Sequence, residues 1–165
     1  MQSGSVVAEK AQIMNHNTGI LADLCVSERK GVPKKTVDSA RFIENFGIET
    51  DAHAGAGAHR QVSLLASESI GKMRKSGLTL RHGAFAENIT TSGLDLLALK
   101  PGERIIIGKD ILLEITQIGK DCHKKCAIYY TAGYCIMPTE GVFARVLKGG
   151  MAKKGDEIIW KRSTR

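Results

Sequence analysis

Cys122 and Cys126 stand four residues apart in Asp121-Cys-His-Lys-Lys-Cys126, and Cys135 follows nine residues later. Lys120, Lys124 and Lys125 flank them. A thiol beside fixed positive charge has a lowered pKa, so more of it is thiolate at neutral pH. Thiolate is the form that binds soft metals and attacks sulfur or carbon. The segment therefore offers one exposed working thiolate. It also admits a zinc site using Cys122, Cys126, Cys135 and a histidine. Structural zinc sites draw on two close ligand pairs, and here the second pair is missing. A disulfide is disfavoured in a reducing compartment. One or two of these cysteines as plain packing residues is the bland alternative. Cys25, alone in the apolar run 20–26, reads as a buried structural thiol.

Two further segments carry chemistry. Thr50-Asp-Ala-His-Ala-Gly-Ala-Gly-Ala-His-Arg60 sets Asp51, His53, His59 and Arg60 among small residues that let the backbone approach a ligand closely. Asp51, His53 and His59 could ligate a metal. Equally, Asp51 could bond within its own loop and leave both histidines on the surface. Glu87-Asn88 puts a carboxylate beside an amide in a Gly/Ala-rich stretch, to orient a ligand or to brace the loop.

The elements that must position these groups read as short strands. Runs 20–26, 61–65, 104–107, 111–118, 141–147 and 157–160 are apolar and mostly β-branched, as strands prefer. Turn residues separate them at Lys100-Pro-Gly-Glu103, Gly108-Lys-Asp110, Gly149-Gly150 and Lys154-Gly-Asp156. Asn15-His-Asn-Thr-Gly19 also reads as a turn. Residues 67–75 predict a helix opened by a Ser67 side-chain cap and stopped at Gly77. Spacings of three and four over 37–46 predict a second short helix or an irregular packing segment. Many short strands with Gly-rich turns make a mainly β chain, a barrel or sandwich with one or two helices.

Bulk composition narrows the function classes. A chain of 165 residues suffices for one ordinary domain. No apolar run approaches the ~20 residues that span a bilayer. Residues 1–17 lack a basic-then-apolar signal pattern, so the expectation is a cytoplasmic protein with no membrane partner. The net charge of +7 favours an anionic partner. With one Trp, three Tyr and four Phe, and with dispersed basic residues, there is little material for base stacking, so nucleic acid is not the expected partner.

Taken in order, the motifs resemble the MOSC domain, the C-terminal module of molybdenum cofactor sulfurases, in its small stand-alone bacterial form. The matching text is Gly31-Val-Pro-Lys34, Asp51-Ala-His-Ala-Gly55, His59-Arg-Gln-Val-Ser-Leu-Leu65, Glu87-Asn-Ile-Thr-Thr-Ser-Gly93, Thr116-Gln117 with Cys122 after it, and Gly141-Val-Phe-Ala-Arg-Val-Leu-Lys-Gly-Gly150. The resemblance implies a closed or partly open β-barrel over residues 20–160. Residues 1–19 would be an N-terminal extension and 161–165 a basic tail. It implies a pterin-based molybdenum cofactor, an anion through its phosphate.

Cys122 would be the molybdenum ligand or the persulfide carrier. With it, His53 and Asp51 would be the catalytic groups, and Arg60, Glu87, Asn88, Lys120 and His59 the cofactor-binding ones. Two roles follow: a small molybdenum-dependent reductase, or a sulfur-transfer accessory with a sulfur donor or redox partner protein. Pyridoxal phosphate is not expected, because the aminotransferase-like domain of full sulfurases is not in this sequence. The rivals are a non-catalytic cofactor- or partner-binding barrel with structural cysteines, and the small zinc protein.

Three departures from the family pattern stand out. Thr50 and Ala86 occupy positions where the family often has Gly, which predicts loops of different shape, because Thr and Ala resist positive φ. The family's Pro-Arg-x-Pro run is Ile118-Gly-Lys-Asp121 here, so Lys120 offers a point charge in place of a bidentate arginine.

Overall fold

A computed structural model describes residues 17–120, 128, 132 and 134–161. Cys122 and Cys126 lie outside them, and with them the expectations placed on those thiols. In chain order the strands are β1 (Thr18–Val26), β2 (Lys35–Val37), β3 (Ser39–Ile43), β4 (Gly47–Ile48), β5 (Val62–Ala66), β6 (Ile89–Ser92), β7 (Arg104–Ile107), β8 (Ile111–Ile118), β9 (Val142–Lys148), β10 (Gly150–Lys153) and β11 (Glu157–Lys161). The helices are α1 (Ser67–Arg74) and α2 (Met137–Glu140), with a 3₁₀ turn at Leu96–Ala98.

The ladder runs β11-β7-β8-β9-β5-β6-β1, and β11 pairs back onto β1, closing a seven-stranded β-barrel. Closure removes the two open sheet edges that would otherwise invite pairing with other chains. β5 and β6 pair in parallel, which requires a crossover, and α1 with the loop behind it supplies one. β2 adds to β1, and β10-β3-β4 form a separate three-stranded sheet.

Period-two alternation fills the barrel. Ile105 and Ile107 on β7, Ile111, Leu113 and Ile115 on β8, and Ile158 and Trp160 on β11 point into one core cluster. β5 is buried at every position, since Val62 and Leu64 face this core while Leu65 faces a second cluster outside the wall. Ile70 and Met73 of α1, Phe85, Ile136, Met137 and Phe143 complete that second cluster, and half-buried Cys135 packs against it. Cys25 is fully buried, as expected, and burial chiefly pushes its thiol up to about 12.

Three sequence expectations are corrected. Segment 37–46 is not helical. Ala40 and Phe42 point inward while Ser39 and Arg41 point out, and β3 pairs with β10 from the far end of the chain. α1 begins without a side-chain cap, because Ser67 Oγ donates to the adjacent Glu68 instead of to the helix backbone. Gly19 is a strand residue opposite Ile158, in contact with Ser92 and Leu94 where a Cβ would not fit.

Candidate functional site

Loops converge against the outer face of the β5–β9 wall on a cavity of about 360 Å³. Lys30 comes from the β1–β2 connection, and His53, His59 and Arg60 from the loop between β4 and β5. Lys120 follows β8, and Ser63 lies on β5. Phe85, Met137 and Phe143 supply the apolar wall. Among the described residues, no carboxylate lines the cavity.

Arg60, His59 and the Lys120 backbone are held by specific contacts. Arg60 lies over the ring of Phe143, 5.7 Å from its centroid, in a cation–π contact. The Thr116-Gln117 pair anchors His59: Thr116 Oγ donates to the His59 carbonyl, and Gln117 Oε1 sits 2.9 Å from His59 Nε2. Gln117 Nε2 also donates to the Gly119 carbonyl at 2.7 Å. Gly119 and Lys120 then donate to the carbonyls of Gly141 and Pro138, at 2.6 and 3.2 Å, tying the chain leading to Cys122 onto α2. The motif thus works through backbone placement.

Behind this wall sits a buried ion pair. Lys34 has no exposed surface, and its Nζ lies 2.8 Å from Asp51 Oδ1. The same ammonium reaches Ser27 Oγ at 3.0 Å and His53 Nδ1 at 2.9 Å. Asp51 also accepts from the Ser27 and His53 backbone N–H groups, each at 3.1 Å. Burial opposes the charge on Asp51, but the bond and charge of Lys34, then the Ser27 N–H, hold its carboxyl below the usual range. Lys34 itself is fixed by Gly83, which accepts from its N–H at 2.9 Å, and by Arg81, which donates to its carbonyl at 2.7 Å.

Of the residues singled out in the sequence, His53, His59, Arg60 and Lys120 come together on the cavity. Asp51, Glu87 and Asn88 stand behind it, buried. Asn88 Oδ1 accepts from the Ser63 N–H at 3.0 Å, and its Nδ2 donates to the Cys25 carbonyl at 3.0 Å, linking β5 to β1. Glu87 accepts from the Phe85 N–H at 3.1 Å and from Thr90 Oγ at 3.3 Å, while burial raises its pKa. Asp51, His53 and His59 do not form a metal-ligand set, and among the described residues no group of three such side chains does. An ammonium already occupies His53 Nδ1 and would repel a cation. Lys34 is what sequence reasoning missed. Its signal was its place in the matching run Gly31-Val-Pro-Lys34, but a loop lysine is normally exposed and carried no role there.

Thr50 and Ala86 adopt φ of 71° and 62°, the left-handed backbone that Gly would take more readily. Tertiary bonds outweigh the local preference: Asp51 accepts from three donors, and Asn88 accepts from the Ser63 N–H and donates its own N–H to Ser63 Oγ.

Comparison with known proteins agrees with this architecture. The fold matches the YuaD protein of Bacillus subtilis with a TM-score of 0.74 at 22% identity, over 88% of this chain and 97% of that one. It matches YiiM of Geobacillus stearothermophilus with a TM-score of 0.65 at 18% identity, over 87% and 75% of the two chains. YiiM of Escherichia coli gives 0.64 at 18%, over 88% and 71%. No curated protein matches the sequence. The family model of the MOSC domain matches residues 49–159, which include most of the cavity loops and all the strands from β5 to β10, and the chain belongs to that family.

Proposed function

We propose that the cavity binds the phosphate-bearing pterin of the molybdenum cofactor. One observation carries this reading: Lys30, His53, His59, Arg60 and Lys120 line one cavity with Phe85 and Phe143, and no carboxylate joins them among the described residues. Such a concentration of donors suits phosphate and oxo groups, and the aromatic wall suits a flat heterocycle. The residues present therefore fit the group. Arg60 and Lys120 hold its anionic oxygens, with His59 and Lys30 beside them. Asp51, Glu87 and Asn88 act as positioning residues that set the backbone of both loops. Cys122, two residues beyond Lys120, supplies the thiolate to molybdenum or carries a persulfide. When bound, the cofactor would supply oxygen- or sulfur-transfer chemistry, as a small reductase if retained and as a carried sulfur acceptor if passed on.

The test is elemental analysis of protein purified from a host that makes the cofactor. Near-stoichiometric molybdenum in the wild type, lost in Arg60→Ala and in Cys122→Ser, supports the reading. Metal that survives Cys122→Ser removes the thiolate as ligand. Wild-type protein with neither molybdenum nor persulfide sinks the proposal.

A further inference from the structure

We propose that Lys34 is a positioning residue that fixes the proton of His53 on Nε2, making this imidazole a permanent neutral N–H donor at the cavity. The inference rests on reading the cavity as an anion site and deepens it.

The hydrogen-bond inventory allows one assignment. A lysine ammonium has three donors and no acceptor. Ser27 Oγ already donates to the Arg29 carbonyl at 2.9 Å, so it accepts from Lys34. Asp51 Oδ1 accepts the second proton at 2.8 Å, and His53 Nδ1, at 2.9 Å, accepts the third. A ring nitrogen that accepts carries no proton, so the neutral ring carries its hydrogen on Nε2. The His53 backbone N–H is held by Asp51 Oδ2 at 3.1 Å, so the ring is anchored at its root as well as at Nδ1. Its side chain is 36% exposed, and His53 lines the cavity, so the free nitrogen is the one available to a ligand.

The groups around the ring act in the same direction. Burial, then the charge of Lys34, with Lys30 and Lys120 further off, oppose a second proton, and only Asp51 favours it. Together they bring the His53 pKa down to about 4. From about pH 5 to 8, where an ordinary histidine changes charge, His53 keeps one proton in one place. It serves neither as base, since Nδ1 is occupied, nor as acid, since a neutral imidazole holds its N–H. Its contribution is directional: one hydrogen bond to an anion oxygen, beside the point charges of Lys30 and Lys120.

Long-range nitrogen–proton NMR on the cofactor-free protein reads the tautomer directly. The wild type should show His53 with Nε2 protonated and Nδ1 bare from about pH 5.5 to 8. In Lys34→Met, the nearest acceptor for Nδ1 becomes Asp51 Oδ2, 3.9 Å away. The ring should then gain a proton on Nδ1 and titrate at least one pH unit higher than about 4. Lys34→Arg, which keeps the charge and the donors, should retain the low titration, and wild-type spectra decide the matter even if Lys34→Met does not fold.

A wild-type His53 that titrates near the ordinary 6.5, or that carries its neutral proton on Nδ1, overturns the proposal. With inorganic phosphate as probe, the His53 Nε2–H resonance should shift, and His53→Ala should weaken binding about tenfold. Phosphate that shifts Arg60 and Lys120 but not His53 overturns the donor role. No phosphate binding at all, with the tautomer as stated, sinks the anion-site reading and leaves the proton assignment standing.

Discussion

At the residue scale, the Lys34–Asp51 pair carries the largest local stake. Both side chains are wholly buried. Removing one partner of such a pair strands the other charge, which costs about 3–5 kcal/mol. Asp51→Ala should therefore lower the unfolding free energy by that amount in urea titrations. A combined Lys34→Met, Asp51→Leu change should recover part of the loss, because replacing both buried charges can be near neutral. Thr50 is the opposite case. A β-branched residue at φ 71° is strained, and its side chain is exposed. Thr50→Gly should raise stability by about 1 kcal/mol, the relief of left-handed strain minus the added flexibility of glycine in the unfolded chain. An unchanged or lower urea midpoint would show that the Thr50 side chain contributes something its position does not reveal.

At the element scale, α2 and the end of β8 behave as one unit. Gly119 sits at φ 72° with its missing Cβ facing the Pro138 carbonyl, so no side chain fits without moving α2. Glu140 ties α2 to α1 in turn, accepting from Ser69 Oγ at 2.8 Å and Lys72 Nζ at 2.6 Å. Gly119→Ala should cost at least about 2 kcal/mol. It should also weaken phosphate binding by displacing Lys120, which Lys120→Ala would do at little cost in stability.

How much of this was legible in the sequence depended on range. The β7–β8 hairpin was plain, because Arg104-Ile-Ile-Ile and the run from Ile111 alternate around Gly108 within a few residues. β3 was not, because Ala40 and Phe42 also fit helical spacing and its partner strand, Gly150–Lys153, lies more than a hundred residues on. The polar loop 50–60 was legible as chemistry. Which of its side chains face the cavity was not, since that depends on Lys34 and Gly83 from other loops. The Glu87-Asn88 pair was visible by type, while its work as a brace between β5 and β1 appears only once the barrel closes.

At the scale of the whole molecule, the two chain-end strands hold the barrel shut. Thr18, Gly19 and Ile20 face Ile159, Ile158 and Glu157, and Leu21 exchanges backbone bonds of 2.8 Å with Asp156 and Gly155. The cavity loops hang from this closed frame, so their titration is felt as stability of the entire fold. His53 has a pKa near 4 when folded and the ordinary 6.5 when unfolded. A depressed folded pKa means the unfolded chain takes the proton first as pH falls. The contribution of His53 is therefore complete above about pH 6.5 and is lost on acidification toward about 4. Asp51 adds a loss of the same sign only below its ordinary 3.8. Glu87 acts against both, because its raised pKa makes the folded state the better proton binder as pH falls.

A falling midpoint in the wild type alone would not identify the group responsible. The informative quantity is the difference between wild type and His53→Gln, whose amide oxygen can still accept from Lys34 but does not titrate. That difference, read as thermal midpoints across the window from 6.5 to about 4, should shift steadily in favour of the variant as pH falls and level off at either end. A pH-independent difference would mean that His53 carries the same proton count in both states, and the buried ammonium would then not be controlling it.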